Sequence, residues 1–269
     1  MKVYISADIE GITDVTTWDE TEQGKTGYRE ACQQMTAEVA AACRGAYRGG
    51  ATEIVVKDAH DSALNLHHGD LPEGVRLIRE WAGEPESMVA LVNEGFDAAI
   101  FVGYHSMAAS DLNPLAHTST YTGLFEVKIN GKRMSEMEIN AMSCAQYKVP
   151  VIMVTGDEGI CEETKKVLPS SVQTVASKRG VGKATVNEDP RKVVSDIDKK
   201  SEEAVRAFLD GQISCIEIPE TLTLELTFRE HARAKRAGHY PGAEQTGPYT
   251  VRFTTKNYRD MQIAYSFMV

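Results

Sequence analysis

Apolar residues along this chain fall in short dense runs, separated by stretches with helical spacing. Val3-Tyr4-Ile5 begins a strand that continues through Ser6-Ala7-Asp8-Ile9-Glu10 to Gly11, since β-branched and aromatic residues favour extended backbone. Met35, Val39, Ala42 and Ala46 share one stripe of a helix predicted over residues 27–48, and Gly49-Gly50 ends it. Residues 53–60 read as a second strand, 75–78 as a short third, and 97–105 as a buried fourth. Pro85 suits a first helical turn and predicts a helix over 85–93. Asn130-Gly131, between extended runs at 125–129 and 132–134, is the signature of a tight hairpin. Ser135-Glu136-Met137-Glu138 matches a capping box and predicts a helix from Ser135 to about Tyr147. Further strands are expected over 150–155 and 172–176. A helix is expected to about Leu168, and another from Asp189-Pro190 to Phe208.

Strands separated by helices specify an α/β fold with a largely parallel central sheet flanked by helices. From Gln212 the texture changes. Residues 221–227 and 249–254 alternate like half-exposed antiparallel strands, each followed by a short helical stretch. The expected organisation is an α/β domain over 1–211 and a smaller α+β C-terminal subdomain over 212–269.

Composition narrows the partners. The net charge of −10 argues against nucleic acid, whose ligands carry basic patches. The one basic stretch, 229–236, reads as a solvated helix face or a subunit contact. No apolar run approaches the roughly 18 residues of a membrane span, so no membrane partner is expected. The first strand starts without a charged region and apolar core before it, so no signal peptide is expected. Five cysteines (Cys32, Cys43, Cys144, Cys161 and Cys215) lack paired spacing and read as reduced, buried small hydrophobes, which fits a cytoplasmic location.

The chemistry lies at the strand ends. In extended backbone Asp8 and Glu10 point to the same side, and two convergent carboxylates need a cation or a shared proton. Asp58 and His60 repeat that spacing, and His105 closes the fourth strand. Parallel α/β sheets bind ligands beyond these carboxyl ends, so the three strand ends define one candidate metal site. Glu136 and Glu138 compete for a further contribution. Glu138 sits three residues past the Ser135 N-cap, with a local role in the capping box, so Glu136 is assigned to the site. An all-oxygen and imidazole set suits catalytic zinc or manganese, and five ligands with three carboxylates fit two ions sharing a carboxylate. No G-x-G-x-x-G follows the first strand, which disfavours a dinucleotide.

The segments S-A-D-I-E-G-I at 6–12, K-D-A-H at 57–60, G-Y-H at 103–105, A-H-T at 116–118, S-E-M-E-I-N at 135–140 and P-V-I-M-V-T-G-D at 150–157 resemble the zinc-dependent D-aminopeptidase family associated with bacterial dipeptide transport. The match runs in order through about the first 160 residues. It implies metal ligation by Asp8, Glu10, His60, His105 and Glu136, with Asp8 bridging, and a catalytic role for His117. It implies two divalent ions per chain, zinc first with manganese or cobalt as substitutes, and a short-peptide substrate with an N-terminal D-residue. It also implies a ring-like homo-oligomer, a decamer being one candidate, with active sites facing an inner chamber. Glu138 and the loop between His105 and His117 depart from the family pattern and bear on substrate preference. The alternatives are hydrolysis of a non-peptide amide or a phosphate ester, and a non-catalytic metal- or peptide-binding oligomer. A phosphatase would need basic groups at the site, for which Lys57 and Lys178 are the candidates.

Overall fold

The computed structural model describes all 269 residues. Its strands are β1 (Lys2–Ala7), β2 (Glu53–Asp58), β3 (Arg76–Ile78), β4 (Ala98–Tyr104), β5 (Leu124–Ile129), β6 (Lys132–Arg133), β7 (Val151–Asp157), β8 (Gln173–Val181), β9 (Ala184–Asn187), β10 (Leu222–Phe228), β11 (Ala243–Gln245) and β12 (Thr250–Thr255). Its helices are α1 (Tyr28–Gly49), α2 (Glu136–Gln146), α3 (Glu158–Val167), α4 (Pro190–Leu209), α5 (His231–Ala237) and α6 (Tyr258–Met268).

The large sheet has the order β3-β2-β1-β4-β7-β8-β9, parallel throughout except for β9, which returns antiparallel on β8. Its central strands are buried on both faces, as their unbroken apolar runs require. Helices α1 and α4 pack together on it, closely enough that a Cβ on Gly45 would sit 2.0 Å from the Asp198 carbonyl. The second sheet, β11-β12-β10-β5-β6, is antiparallel and carries its own hydrophobic core around Leu224, Leu226 and Val251. This small sheet therefore takes the β5–β6 hairpin from the middle of the chain as well as the strands after Gln212. Asn130 (φ 52°) and Gly131 (φ 79°) are both left-handed, as a type I′ turn demands.

Helix α2 joins the two bodies. Met137, Ala141 and Cys144 enter the large core, while Ile139 and Met142 enter the small one. Apolar on both sides, it is buried nearly all round, which fixes the direction of its N-terminal residue Glu136.

Two expectations change. The helix over 85–93 is a single 3-10 turn at Ser87–Val89, because Ser87 (φ 49°) and Leu91 (φ 65°) are left-handed. The chain bends there to bury Glu86 against Arg259 and Tyr147. The strand over 172–176 extends to Val181 and turns through Gly182 into β9, an edge hairpin whose charged residues hide its extended character.

Candidate metal centre

Five of the six predicted site residues leave strand ends or the loops beyond them, and the sixth opens α2. β1 and β4 are neighbours in register, so Asp8 and His105 emerge side by side. Gly11 and Gly103 let these ends come together: the Gly11 N–H donates to the Gly103 carbonyl at 2.8 Å. Gly11 is needed because a Cβ would lie 1.9 Å from the Tyr104 carbonyl, whereas Gly103 is the left-handed one (φ 73°).

Two groups of side chains result: Asp8, Glu10 and His60, and His105, His117 and Glu136, all buried. His60 Nδ1 lies 3.0 Å from Glu10 Oε2 and 3.3 Å from Asp8 Oδ1. His105 Nε2 lies 3.5 Å from Asp8 Oδ2 and 3.4 Å from Glu136 Oε2. Asp8 thus presents one oxygen to each group. His117 stacks on His105 with ring centroids 4.3 Å apart, and its Nε2 is 3.6 Å from Glu136 Oε1.

Each imidazole is aimed by a backbone carbonyl behind it. The distal N–H of His60 goes to Thr21 O at 2.8 Å, that of His105 to Ser106 O at 3.0 Å, and that of His117 to Leu115 O at 3.0 Å. These bonds assign the tautomers and leave the inner nitrogens as lone-pair donors, the arrangement that metal-binding histidines use. Ser119 N–H donates to Glu136 Oε1 at 2.6 Å, leaving Oε2 toward His105.

The donor set fits divalent ions. Asp8 Oδ2, Glu10 Oε2 and His105 Nε2 are buried with no hydrogen-bond partner, a costly condition for polar atoms unless something else coordinates them. Electrostatics agree. Burial and Glu10 push Asp8 well above the carboxylate range. Burial opposes a charge on His105, yet Glu136 and Asp8 outweigh it and raise that imidazole to about 10. Glu10 and Asp8 likewise raise His60 against its burial. The cluster carries excess negative charge that protons or cations must neutralise.

The other polar residues have supporting work. Asp58 turns away from the cluster and accepts Asn65 N–H (2.6 Å), Asn65 Nδ2 (2.7 Å) and Leu66 N–H (2.8 Å), which shapes the loop that presents His60. Asp157 binds Ser106 and Asn113 and so holds the loop after His105. Glu138 gives both oxygens to Lys132 Nζ, at 2.6 and 2.7 Å, in place of the reciprocal capping bond; Ser135 Oγ still accepts the Glu138 N–H at 3.1 Å. Sequence reasoning missed the aromatic wall. Trp18 stacks on Tyr121 at 3.9 Å and meets His117 edge-on at 5.4 Å. Only folding brings Trp18 and Tyr121 together, and no local spacing signals it.

The cluster opens on a cavity of about 660 Å³, walled by Trp18, Glu22, Trp81 and Tyr121 among others. No lysine or arginine lines it. Lys57 is buried with Nζ on the carbonyls of Asp58 and Glu80, and Lys178 with Nζ on those of Ile12 and Val15. Neither basic candidate reaches the site. No helix is long and apolar enough to cross a membrane.

The chain is 30% identical over 273 residues to a D-aminopeptidase of Bacillus subtilis (strain 168), covering 100% of this chain and 96% of that protein. It superposes with a TM-score of 0.91 and 29% identity on a structure described as the Zn-dependent D-aminopeptidase DppA from Bacillus subtilis, a self-compartmentalizing protease, covering 100% of this chain and 96% of that one. The peptidase family M55 model, described as D-aminopeptidase, matches residues 1–267, and the chain belongs to that family.

Proposed function

We propose that this chain is a zinc-dependent aminopeptidase that removes N-terminal D-residues from short peptides, with two ions per chain. The observation that carries the reading is the pair of carboxylate–imidazole groups joined through Asp8, with unpartnered donor atoms in both. His60, Glu10 and Asp8 would hold one ion, and His105, Glu136 and the second Asp8 oxygen the other. When bound, such ions supply Lewis acidity toward a peptide carbonyl and toward water.

The chain's own residues do the rest. Burial and the neighbouring His105 hold His117 below its ordinary value, so at neutral pH its imidazole is uncharged with Nε2 open to the cavity. It can take a proton from water there and return it to the leaving amine, the exchange expected of a general acid–base. Trp18 packs against its ring and keeps it oriented. A 660 Å³ cavity matches a short peptide.

The alternatives are weaker. A phosphate-ester hydrolase would want lysine or arginine in the cavity to hold the phosphate, and none lines it. A non-catalytic binder gives no role to the base His117 beside the cluster. The proposed division is a metal-binding part over 1–211 and a subdomain over 212–269 whose sheet also takes in the 124–133 hairpin, and all six site residues lie outside that small sheet. A ring-like homo-oligomer in the cytoplasm completes the reading; its support is the self-compartmentalizing description of the DppA structure and, for the location, the unpaired cysteines.

Chelation followed by zinc, manganese or cobalt addition, scored on a panel of D- and L-aminoacyl amides and dipeptides, tests the activity. Loss and recovery of hydrolysis with D-residues favoured supports it. Chelator-resistant hydrolysis, or hydrolysis confined to phosphate esters, refutes it.

A further inference from the structure

Resting on the aminopeptidase reading, we propose that Glu22 anchors the substrate's free α-ammonium, with Tyr121 and Trp18 as the aromatic wall beside it. An enzyme that cuts only at an N-terminus must recognise a positive charge that internal peptide bonds lack. Five acids line the cavity. Asp8, Glu10 and Glu136 face imidazoles, and Asp61 is exposed at the rim without a side-chain hydrogen bond. Glu22 is the remaining one. It is half-buried, its Oε1 accepts the Tyr121 hydroxyl at 2.9 Å, and its Oε2 takes no hydrogen bond from the protein.

The segment that carries Glu22 is fixed relative to the metal cluster. Glu20 Oε2 accepts the N–H groups of Thr16 (2.8 Å) and Thr17 (2.7 Å), which locks the turn at Trp18–Glu20. Thr21 donates its N–H to Trp18 O and gives its carbonyl to His60 Nε2. Glu22 thus follows by one residue the carbonyl that aims one of the cluster's imidazoles. A carboxylate held at a set spacing from the cleavage site measures one residue from the amino terminus. Ring faces attract ammonium groups and shield them from water, and Tyr121, stacked on Trp18 at 3.9 Å, stands beside the carboxylate. No lysine or arginine lines the cavity to pair with Glu22.

The test compares two zinc-chelating probes, D-alanine hydroxamate and propionohydroxamate, which differ only in the amine. Both are titrated calorimetrically into zinc-loaded protein. Wild type should bind the amine-bearing probe at least about tenfold more tightly, the size of one charge-assisted hydrogen bond. Glu22→Gln should lose most of that preference while keeping its affinity for propionohydroxamate and its zinc content. Tyr121→Phe should lose part of it. In hydrolysis of D-aminoacyl amides the Glu22→Gln loss should fall on KM more than on kcat. An undiminished preference in Glu22→Gln, or equal weakening of both probes, overturns the anchor. So does a wild type without preference, and in that case zinc content and peptide hydrolysis still decide the aminopeptidase reading separately.

Discussion

Glu136 and Glu138 are separated by one position on α2 and lead different lives. The first faces His105 and His117, and the second pairs with Lys132. Glu136→Gln should therefore lose zinc from the purified protein, whereas Glu138→Gln should retain it; elemental analysis of both variants distinguishes them, and the reverse pattern would reverse the assignment. His117 belongs geometrically with His105 and Glu136, and its role follows from what it keeps free. Glu136 Oε1, the oxygen nearest His117, is already bound by the Ser119 N–H, while Oε2 faces His105. His117→Ala should keep both ions while kcat falls about 10²–10⁴-fold, the usual loss of acid–base help. Loss of one ion in that variant would make His117 a ligand instead.

At the scale of elements, the loop after Glu10 is held by a buried lysine. Lys178, on β8, donates to the carbonyls of Ile12 and Val15, and burial lowers its amine to about 8. An unfolded lysine keeps its proton to about 10.5, so between pH 8 and 10.5 the unfolded chain binds more protons than the native one. Wild-type stability should gain from this group as pH rises through that window, with its penalty fully present below 8. Relative to Lys178→Met, the gain should reach up to about 3 kcal/mol by chemical denaturation. A difference independent of pH would contradict it. The elements themselves were largely legible, because long apolar periods and caps are local signals: α1, α2, α4 and the Asn130-Gly131 hairpin stand where the pattern puts them. The 85–93 helix does not form because tertiary burial of Glu86 overrides the local preference of Pro85.

For the whole molecule, what the sequence concealed was long-range. Nothing local says that the 124–133 hairpin joins strands a hundred residues later, or that α2 lies between two cores. Asp8, Glu10, His60 and His105 were legible as one candidate set because parallel strands deliver their ends to one edge. Glu136 was legible through its place at the start of a capped helix, and His117 through the family resemblance alone. The wall of Trp18, Glu22 and Tyr121 and the supports Asp157 and Ser119 were not legible. At this scale the reading includes assembly. Equilibrium sedimentation should give a multiple of the single-chain mass, and a monomer at micromolar concentration would count against the ring.

The proposed chemistry depends above all on a paired metal centre bridged by Asp8. Anomalous diffraction at the zinc edge, from crystals of the zinc-loaded protein, tests it most directly. Two peaks per chain are predicted, one among Asp8, Glu10 and His60 and the other among Asp8, His105 and Glu136. A single peak, or peaks away from Asp8, would contradict it.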